Sequence, residues 1–146
     1  MTANGNWTKE ENLAYAAGFI DGEGSFDAYP NNCNKDPNHL TFQLEAGNTD
    51  RDLLASFGSV VGAGKVTVYR WKNKSRRKPM WGFKLRRSKQ VHDFAVAVLP
   101  FLLSKEKHRQ ARDLIEVFEL YPGPEAVALA KRAFPGRGAW KNLVLF

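Results

Sequence analysis

The chain has 146 residues, a formal net charge of +7 and 43% hydrophobic residues, which fits one globular domain and excludes a disordered chain. No apolar run reaches the roughly 18 residues of a membrane span, and the N-terminus lacks the pattern of a signal peptide. The single cysteine, Cys33, excludes an intrachain disulfide and a multi-cysteine zinc site. We therefore expect a soluble intracellular protein with no membrane partner.

Half of the basic residues lie in one segment of the chain. Between Lys65 and Lys89 there are 11 of the 22 Lys and Arg residues and no Asp or Glu. The remainder carries 11 basic against 15 acidic residues, a net charge of −4. A solvated basic face is the ordinary interpretation of such a cluster. This one-sided segregation instead favours a polyanion as partner, nucleic acid in particular.

The first elements in chain order are a helix and a hairpin. Thr8 and Glu11 have the spacing of a capping box, which predicts a helix over about 9–24. Alternating apolar residues predict strands over 25–29 and 40–46, separated by a loop rich in Asn and Pro. Two strands joined in this way indicate a β-hairpin.

A second helix and a second hairpin follow. Asp50 and Asp52 suit the first turn of a helix. Strands are predicted over 65–69 and 81–86, and the basic loop 72–78 joins them. The unit therefore repeats the order of the first one and adds two more strands to a sheet.

Helices are predicted for the rest of the chain. Ser88 and Ser104 are candidate N-caps of two helices that Pro100 separates. A short last helix lies between about 122 and the end, and the tail within 122–146 remains unassigned. The whole chain, 1–146, is predicted to be one α+β domain.

One face of the predicted sheet is polar. In both hairpins the apolar side would pack on the helices, which leaves the polar side in water. A solvated sheet is the common alternative, but the basic second hairpin favours a twisted sheet that lies in a DNA major groove and reads base edges. The predicted DNA-binding residues are Ser25, Asp27, Tyr29, Asn31, Thr41, Gln43, Glu45, Lys65, Thr67, Tyr69, Trp71, Lys72, Lys74, Arg76, Arg77, Lys78, Lys84 and Arg86.

The first helix ends in an unusual segment, which reads AAGFIDGEGSF from Ala16 to Phe26. Two acids lie near its end, where the macrodipole is negative, and each is unfavourable there by a few tenths to about 1 kcal/mol. We expect a positive group to compensate, an oxygen-ligated divalent cation in particular. The alternative is a glycine-terminated helix with exposed acids.

On the same helix, a stripe of small residues together with Asp21 would let a second helix approach closely. The members of this stripe are Ala14, Ala17, Gly18 and Asp21.

The segment Ala17–Gly24, AGFIDGEG, resembles the signature of the LAGLIDADG homing endonucleases, in the branch with one motif per chain. It matches the small pair, the first acid, both glycines and the final acid, which is Glu here where Asp is equally familiar. The resemblance covers about residues 10–120 and includes the junction 48–51 and the segment 99–111.

This resemblance implies an αββαββα fold with a four-stranded antiparallel sheet as a DNA-binding saddle and helices on its other face. It also implies a homodimer with twofold symmetry, in which Ala14, Ala17, Gly18 and Asp21 lie at the interface. The implied partner is double-stranded DNA, and no organic cofactor is needed.

The resemblance further implies an active site with a metal. Glu23 and the carbonyl of Gly22 would hold Mg²⁺, or Mn²⁺ or Ca²⁺ at the same site. Asn48 and Arg51 best match the polar residue and the arginine that follow the second strand. The active-site lysine is Lys107 or Lys105, and we prefer Lys107 because register within a helix varies less than loop length. The implied reaction is a site-specific double-strand cut in a long, nearly palindromic DNA target.

Other functions remain open at this point. The same fold could serve as an intron maturase or a non-cleaving DNA- or RNA-binding protein. A basic RNA-binding domain with an accidental motif is a further alternative. Aromatic residues that could stack on RNA bases are sparse on the predicted polar face, since Trp81 and Phe83 are predicted to point to the core.

Overall fold

The computed structural model describes residues 6–31, 36–69 and 79–135. Its elements are α1 (Lys9–Glu23), β1 (Gly24–Pro30), β2 (Leu40–Asn48), α2 (Arg51–Val61), β3 (Lys65–Tyr69), β4 (Met80–Leu85), α3 (Ser88–Val98), a 3₁₀ turn (Leu99–Phe101), α4 (Lys105–Leu120) and α5 (Pro124–Ala133). The predicted α+β class and element order are confirmed. The basic loop 72–78 and the tail after residue 135 lie outside the described residues.

The four strands form one antiparallel sheet in the order β1-β2-β4-β3. Both predicted hairpins pair as expected, and β2 and β4 join them in the middle of the sheet. The register places Ser25 opposite Glu45, Glu45 opposite Lys84, and Lys84 opposite Lys65. Polar positions of all four strands therefore form one row across the same face.

The core lies between the other face of the sheet and the helices. Phe26, Phe42, Leu44 and Phe83 are at most 1% exposed, and burial of each such side chain contributes about 1.5–3 kcal/mol. Val68, on the apolar side of β3, is 38% exposed, because edge strand β3 has a neighbouring strand on one side only. In the described part of the chain the helices pack on the apolar face, and α4 and α5 also border the polar face at the β1 edge, where Ser25, Asp27 and Glu45 line a cleft with Glu106 and Arg109.

Two of the predicted helix caps are present. The Glu11 N–H donates to Thr8 Oγ1 and the Thr8 N–H donates to Glu11 Oε1, both at 3.1 Å, so α1 begins with a capping box. Ser104 caps α4. The predicted cap at Ser88 is wrong: Ser88 is the first helical residue, and Arg87 lies at the N-cap without a side-chain hydrogen bond, because only two residues connect β4 to α3.

The motif helix passes directly into the sheet. α1 ends at Glu23 and β1 begins at Gly24. A Cβ on Gly24 would lie 3.1 Å from Ile20 Cα and 3.3 Å from the Glu45 carbonyl oxygen, closer than side chains normally approach. Glycine therefore lets the end of α1 lie against β2, and this close packing places Glu23 beside the polar row of the sheet.

Candidate active site

A cleft of about 390 Å³ opens where α1 meets the sheet. It brings together residues from the end of α1, from β1, β2 and β4, and from the first turn of α4. Its lining consists of Gly22, Glu23, Gly24, Ser25, Glu45, Ala46, Gly47, Met80 and Lys107. Two carboxylates and an ammonium group from distant parts of the chain thus share one cleft. Met80 and Gly47 lay outside the predicted site, since only the sheet register brings them there.

Glu23 is the acid in this cleft that is available to a cation. It is exposed at the end of α1, and within the described ranges its carboxylate makes no hydrogen bond or ion pair. Carboxylate and carbonyl oxygens are the ligands that Mg²⁺ and Ca²⁺ prefer, so Glu23 and the Gly22 carbonyl fit such an ion. The described residues contain no group of three or more His, Cys, Asp or Glu that could hold a metal. Within the described part of the chain, Glu23 is therefore not one of a cluster of three such ligands.

Asp21, the other acid of the segment, is compensated within the chain. Its Oδ2 accepts the backbone N–H of Leu103 at 2.9 Å and its Oδ1 accepts that of Ser104 at 3.1 Å. The positive partner that we expected for the two acids is therefore a pair of backbone donors for Asp21. Of the two acids in this segment, Glu23 is the one whose carboxylate has no hydrogen-bond partner in the described part of the chain.

The structure distinguishes the two candidate lysines. Lys107 is half-buried and lines the cleft with Glu23. Lys105 is exposed, and a separation of two residues turns it about 200° around the axis of α4. Among the described residues, Lys107 is the lysine that lines the Glu23 cleft, and its assignment as the active-site lysine stays a prediction.

Asn48 and Arg51 lie at the junction of β2 and α2, next to the cleft residue Gly47. The Asn48 Oδ1 accepts the backbone N–H of Asp50 at 2.8 Å, and the guanidinium of Arg51 lies 5.4 Å from the centre of the Trp81 ring. Neither residue is in the lining of the Glu23 cleft in the described part of the chain. Their assignment to the active site stays a prediction.

Apart from Gln43, the predicted DNA-binding residues fall into three groups. Lys65, Thr67 and Arg86 are exposed. Half-buried positions are Ser25, Asp27, Tyr29, Asn31, Thr41, Glu45 and Lys84. The side chain of Tyr69 and residues Trp71, Lys72, Lys74, Arg76, Arg77 and Lys78 lie outside what the structure describes. Contacts of all these residues with DNA remain a prediction.

Gln43 departs from its predicted exposure. Its side chain is fully buried, and its Oε1 accepts a hydrogen bond from Arg86 Nε at 3.0 Å. Gln43 lies on β2, a central strand of the sheet. Its partner Arg86 directly follows β4, the strand next to β2. In this conformation Gln43 is not accessible to a base.

The predicted stripe of small residues is partly wrong. Ala14 and Gly18 are exposed, but Ala17 is fully buried, because three residues turn it about 300° from Ala14, towards the core side of α1. The exposed surface continues instead through Gly22. A Cβ at Gly18 or Gly22 would have no atom within 4 Å, so nothing in the described chain requires a small residue at either position.

Arg109 forms a network of hydrogen bonds beside the cleft. This network was not predicted from the sequence. Arg109 donates to Glu106 at 2.7 and 3.0 Å, to Asp113 at 2.8 Å and to the carbonyl of Ala133 at 2.9 Å. The bonds from Arg109 lower the pKa of Glu106 to about 2. The spacing of the three charged residues could have predicted their pairing on one helix face. The contact with Ala133, which ties α5 to α4, could not be predicted.

The comparison with known families decides the identity of this fold. A family profile described as LAGLIDADG endonuclease matches residues 16–118, more than half of the chain. The chain belongs to the LAGLIDADG endonuclease family. A search of curated proteins gave no match.

Solved LAGLIDADG structures share the fold. The homing endonuclease I-CvuI, in complex with its target and Ca²⁺, superposes with a TM-score of 0.69 at 20% identity, over 86% of this chain and 81% of that one. The archaeal intron-encoded I-Vdi141I, in complex with DNA, has a TM-score of 0.66 at 17% identity, over 86% and 84%. I-GzeII, bound to a DNA target, gives 0.65 at 20% identity, with 82% of this chain on 41% of that one.

This LAGLIDADG domain therefore matches I-CvuI and I-Vdi141I over most of their lengths and I-GzeII over less than half of it. At these identities the likeness establishes the fold. In the ranges that the structure describes, no helix has the length and apolar character needed to cross a membrane.

Proposed function

We propose that this protein is a homodimeric, site-specific DNA endonuclease that makes a divalent-metal-dependent double-strand cut in a long, nearly palindromic target. The observation that carries the proposal is the placement of Glu23 and Lys107 in one cleft at the border of the polar sheet face. Membership of the LAGLIDADG endonuclease family supports it, as does the complex of I-CvuI with its target in the presence of Ca²⁺.

The polar face of the sheet is the surface that would receive DNA. The row from Ser25 through Glu45 and Lys84 to Lys65 crosses all four strands, and its cations can contact phosphates while the other side chains face base edges. The Glu23 cleft lies beside this row. DNA on the saddle would therefore present a phosphate to the cleft.

Within the cleft, Glu23 and the Gly22 carbonyl would hold Mg²⁺, or Mn²⁺ or Ca²⁺ in its place. Such an ion, when bound, polarises the phosphate and supplies an activated water. Lys107 places a positive charge where negative charge develops on the phosphate oxygens, and this differential stabilisation lowers the barrier. The chain needs no covalent nucleophile for this reaction.

A second copy of the chain would account for Gly18 in α1. Glycine inside a helix is about 1 kcal/mol less favourable than alanine, yet Gly18 lies within α1 with no atom near its Cβ position. Close approach of the same helix from a partner would give that glycine a function. Twofold symmetry would also bring two Glu23 carboxylates to opposite strands and favour a palindromic target.

Lys107→Met tests whether Lys107, rather than Lys105, is the active-site lysine. We expect it to lower the single-turnover cleavage rate by about 10²-fold or more, the loss typical of removing one charge-stabilising donor. Lys105→Met removes the same charge from the opposite side of α4 and is the matched control, expected to cleave within about threefold of wild type. An equal loss in both variants, or a loss in Lys105→Met alone, would contradict the assignment of Lys107.

The proposed function is tested by incubating the protein with a plasmid library of randomised sites, with Mg²⁺ and with EDTA. Double-strand breaks at one long, nearly palindromic sequence, seen only with Mg²⁺, are the expected result. Specific retention of DNA without breaks would indicate a non-cleaving binding protein. Preferential retention of RNA would indicate a maturase-like function, and either of these outcomes would overturn the proposal.

A further inference from the structure

Asp21 connects the motif helix to the start of α4. Its two carboxylate oxygens accept the backbone N–H groups of Leu103 and Ser104, at 2.9 and 3.1 Å. Ser104 is the N-cap of α4, and its Oγ accepts the backbone N–H of Lys107 at 3.3 Å. A continuous run of hydrogen bonds therefore joins Asp21, two residues before Glu23, to the backbone of Lys107.

The geometry of this connection restrains two elements that are far apart in the chain. Asp21 and Leu103 are 82 residues apart, and both oxygens of the carboxylate are used. The segment before α4 cannot slide along α1 without losing one of the two bonds. The charge of Asp21 is unfavourable at the end of α1 but favourable at the start of α4, where free N–H groups create a positive potential.

We propose that Asp21 is a positioning residue that sets the separation of Glu23 and Lys107, acting through Ser104. The proposal rests on the proposed function, in which both groups face one phosphate. Asp21 is not part of the cleft lining in the described chain, so its influence passes through the backbone of α4. Misplacement of a reacting group by about 1 Å can lower the reaction rate by about 10²-fold. A restraint that fixes the separation of Glu23 and Lys107 would prevent such a loss.

Asp21→Asn tests the restraint, because it keeps the shape of the side chain but turns one acceptor into an N–H₂ donor that faces a backbone N–H. We expect single-turnover cleavage of the library-derived target to fall by about 10- to 100-fold, with the DNA dissociation constant changed less than about twofold. In a Lys107→Met background the same substitution should change the rate less than about twofold, because residues that act through one path are not additive.

Three further variants make the test specific. Ser104→Ala should reproduce the loss, whereas Ser104→Thr keeps an Oγ and should cleave like wild type. Glu119→Gln removes the same charge from an exposed position at the other end of α4 and is the matched control. All variants are compared for dimer content by sedimentation.

Several outcomes would overturn the proposal. Wild-type rates in Asp21→Asn and Ser104→Ala would remove the positioning role while leaving the proposed function intact. A full additive loss in the Lys107→Met background, or conversion of Asp21→Asn to a monomer, would assign Asp21 a different role. A wild-type protein that cuts no DNA would overturn this proposal together with the proposed function.

Discussion

Glu23→Gln should abolish Mg²⁺-dependent cleavage and leave specific DNA binding intact. The substitution keeps the size of the side chain but removes the anionic oxygen that an Mg²⁺ ion prefers. We expect the single-turnover rate to fall by at least about 10²–10³-fold, since loss of one charge-stabilising group alone has that effect. The dissociation constant measured in Ca²⁺ should change less than about threefold, because the sheet face supplies the DNA contacts.

A matched control for this variant lies at the other end of the same helix. Glu10→Gln makes the same chemical change at an exposed position in the first turn of α1, and it should cleave like wild type. Full activity of Glu23→Gln, or equal losses in both variants, would contradict the assignment of Glu23 as the metal-binding acid.

Gly18→Leu should weaken the dimer and stop double-strand cleavage. If two copies of α1 meet at Gly18, neither can carry a large side chain without forcing the helices apart, and such overpacking typically costs about 1–3 kcal/mol or more. The two Glu23 carboxylates would then separate. Sedimentation should detect a shift towards monomer, and plasmid cleavage should fail or stop at single-strand nicks.

Gly18→Ala gives this prediction a second test. In the isolated chain a Cβ at position 18 has no atom within 4 Å, so alanine should stabilise a monomer by up to about 1 kcal/mol through helix propensity. A lower dimer affinity despite that gain would indicate contact at Gly18. Ala128→Leu, at an exposed position of α5, is the control for an added apolar side chain. A fully active, dimeric Gly18→Leu protein would contradict the interface.

The order of helices and strands followed from short-range patterns in the sequence. Thr8 and Glu11 are three residues apart, and their capping box depends on little else in the chain. Alternation placed Phe26, Phe42 and Phe83 in the core, because side chains of a strand face its two sides in turn. Local signals of this kind could be interpreted without knowledge of the tertiary structure.

The features that the sequence did not predict correctly depend on neighbouring residues that are distant in sequence. Ala17 fits a surface stripe by helical spacing, but the packing of α1 against the rest of the domain determines whether Ala17 is exposed or buried. Gln43 alternates as a surface residue, yet it is fully buried and accepts a hydrogen bond from Arg86, 43 residues further along the chain. The pairing of Asp21 with the backbone of Leu103 and Ser104 spans most of the chain, and backbone donors leave no signature in side-chain sequence.

In the proposed dimer, each of the two Glu23 carboxylates serves the cleavage of one DNA strand across a twofold axis. This central claim is tested by a heterodimer of one wild-type and one Glu23→Gln chain, purified through two different tags and incubated with target plasmid and Mg²⁺. We expect nicked circular DNA to accumulate while linear product stays below about a hundredth of the wild-type rate, since the second strand lacks its charge-stabilising acid. Linear product at the wild-type rate would contradict the claim.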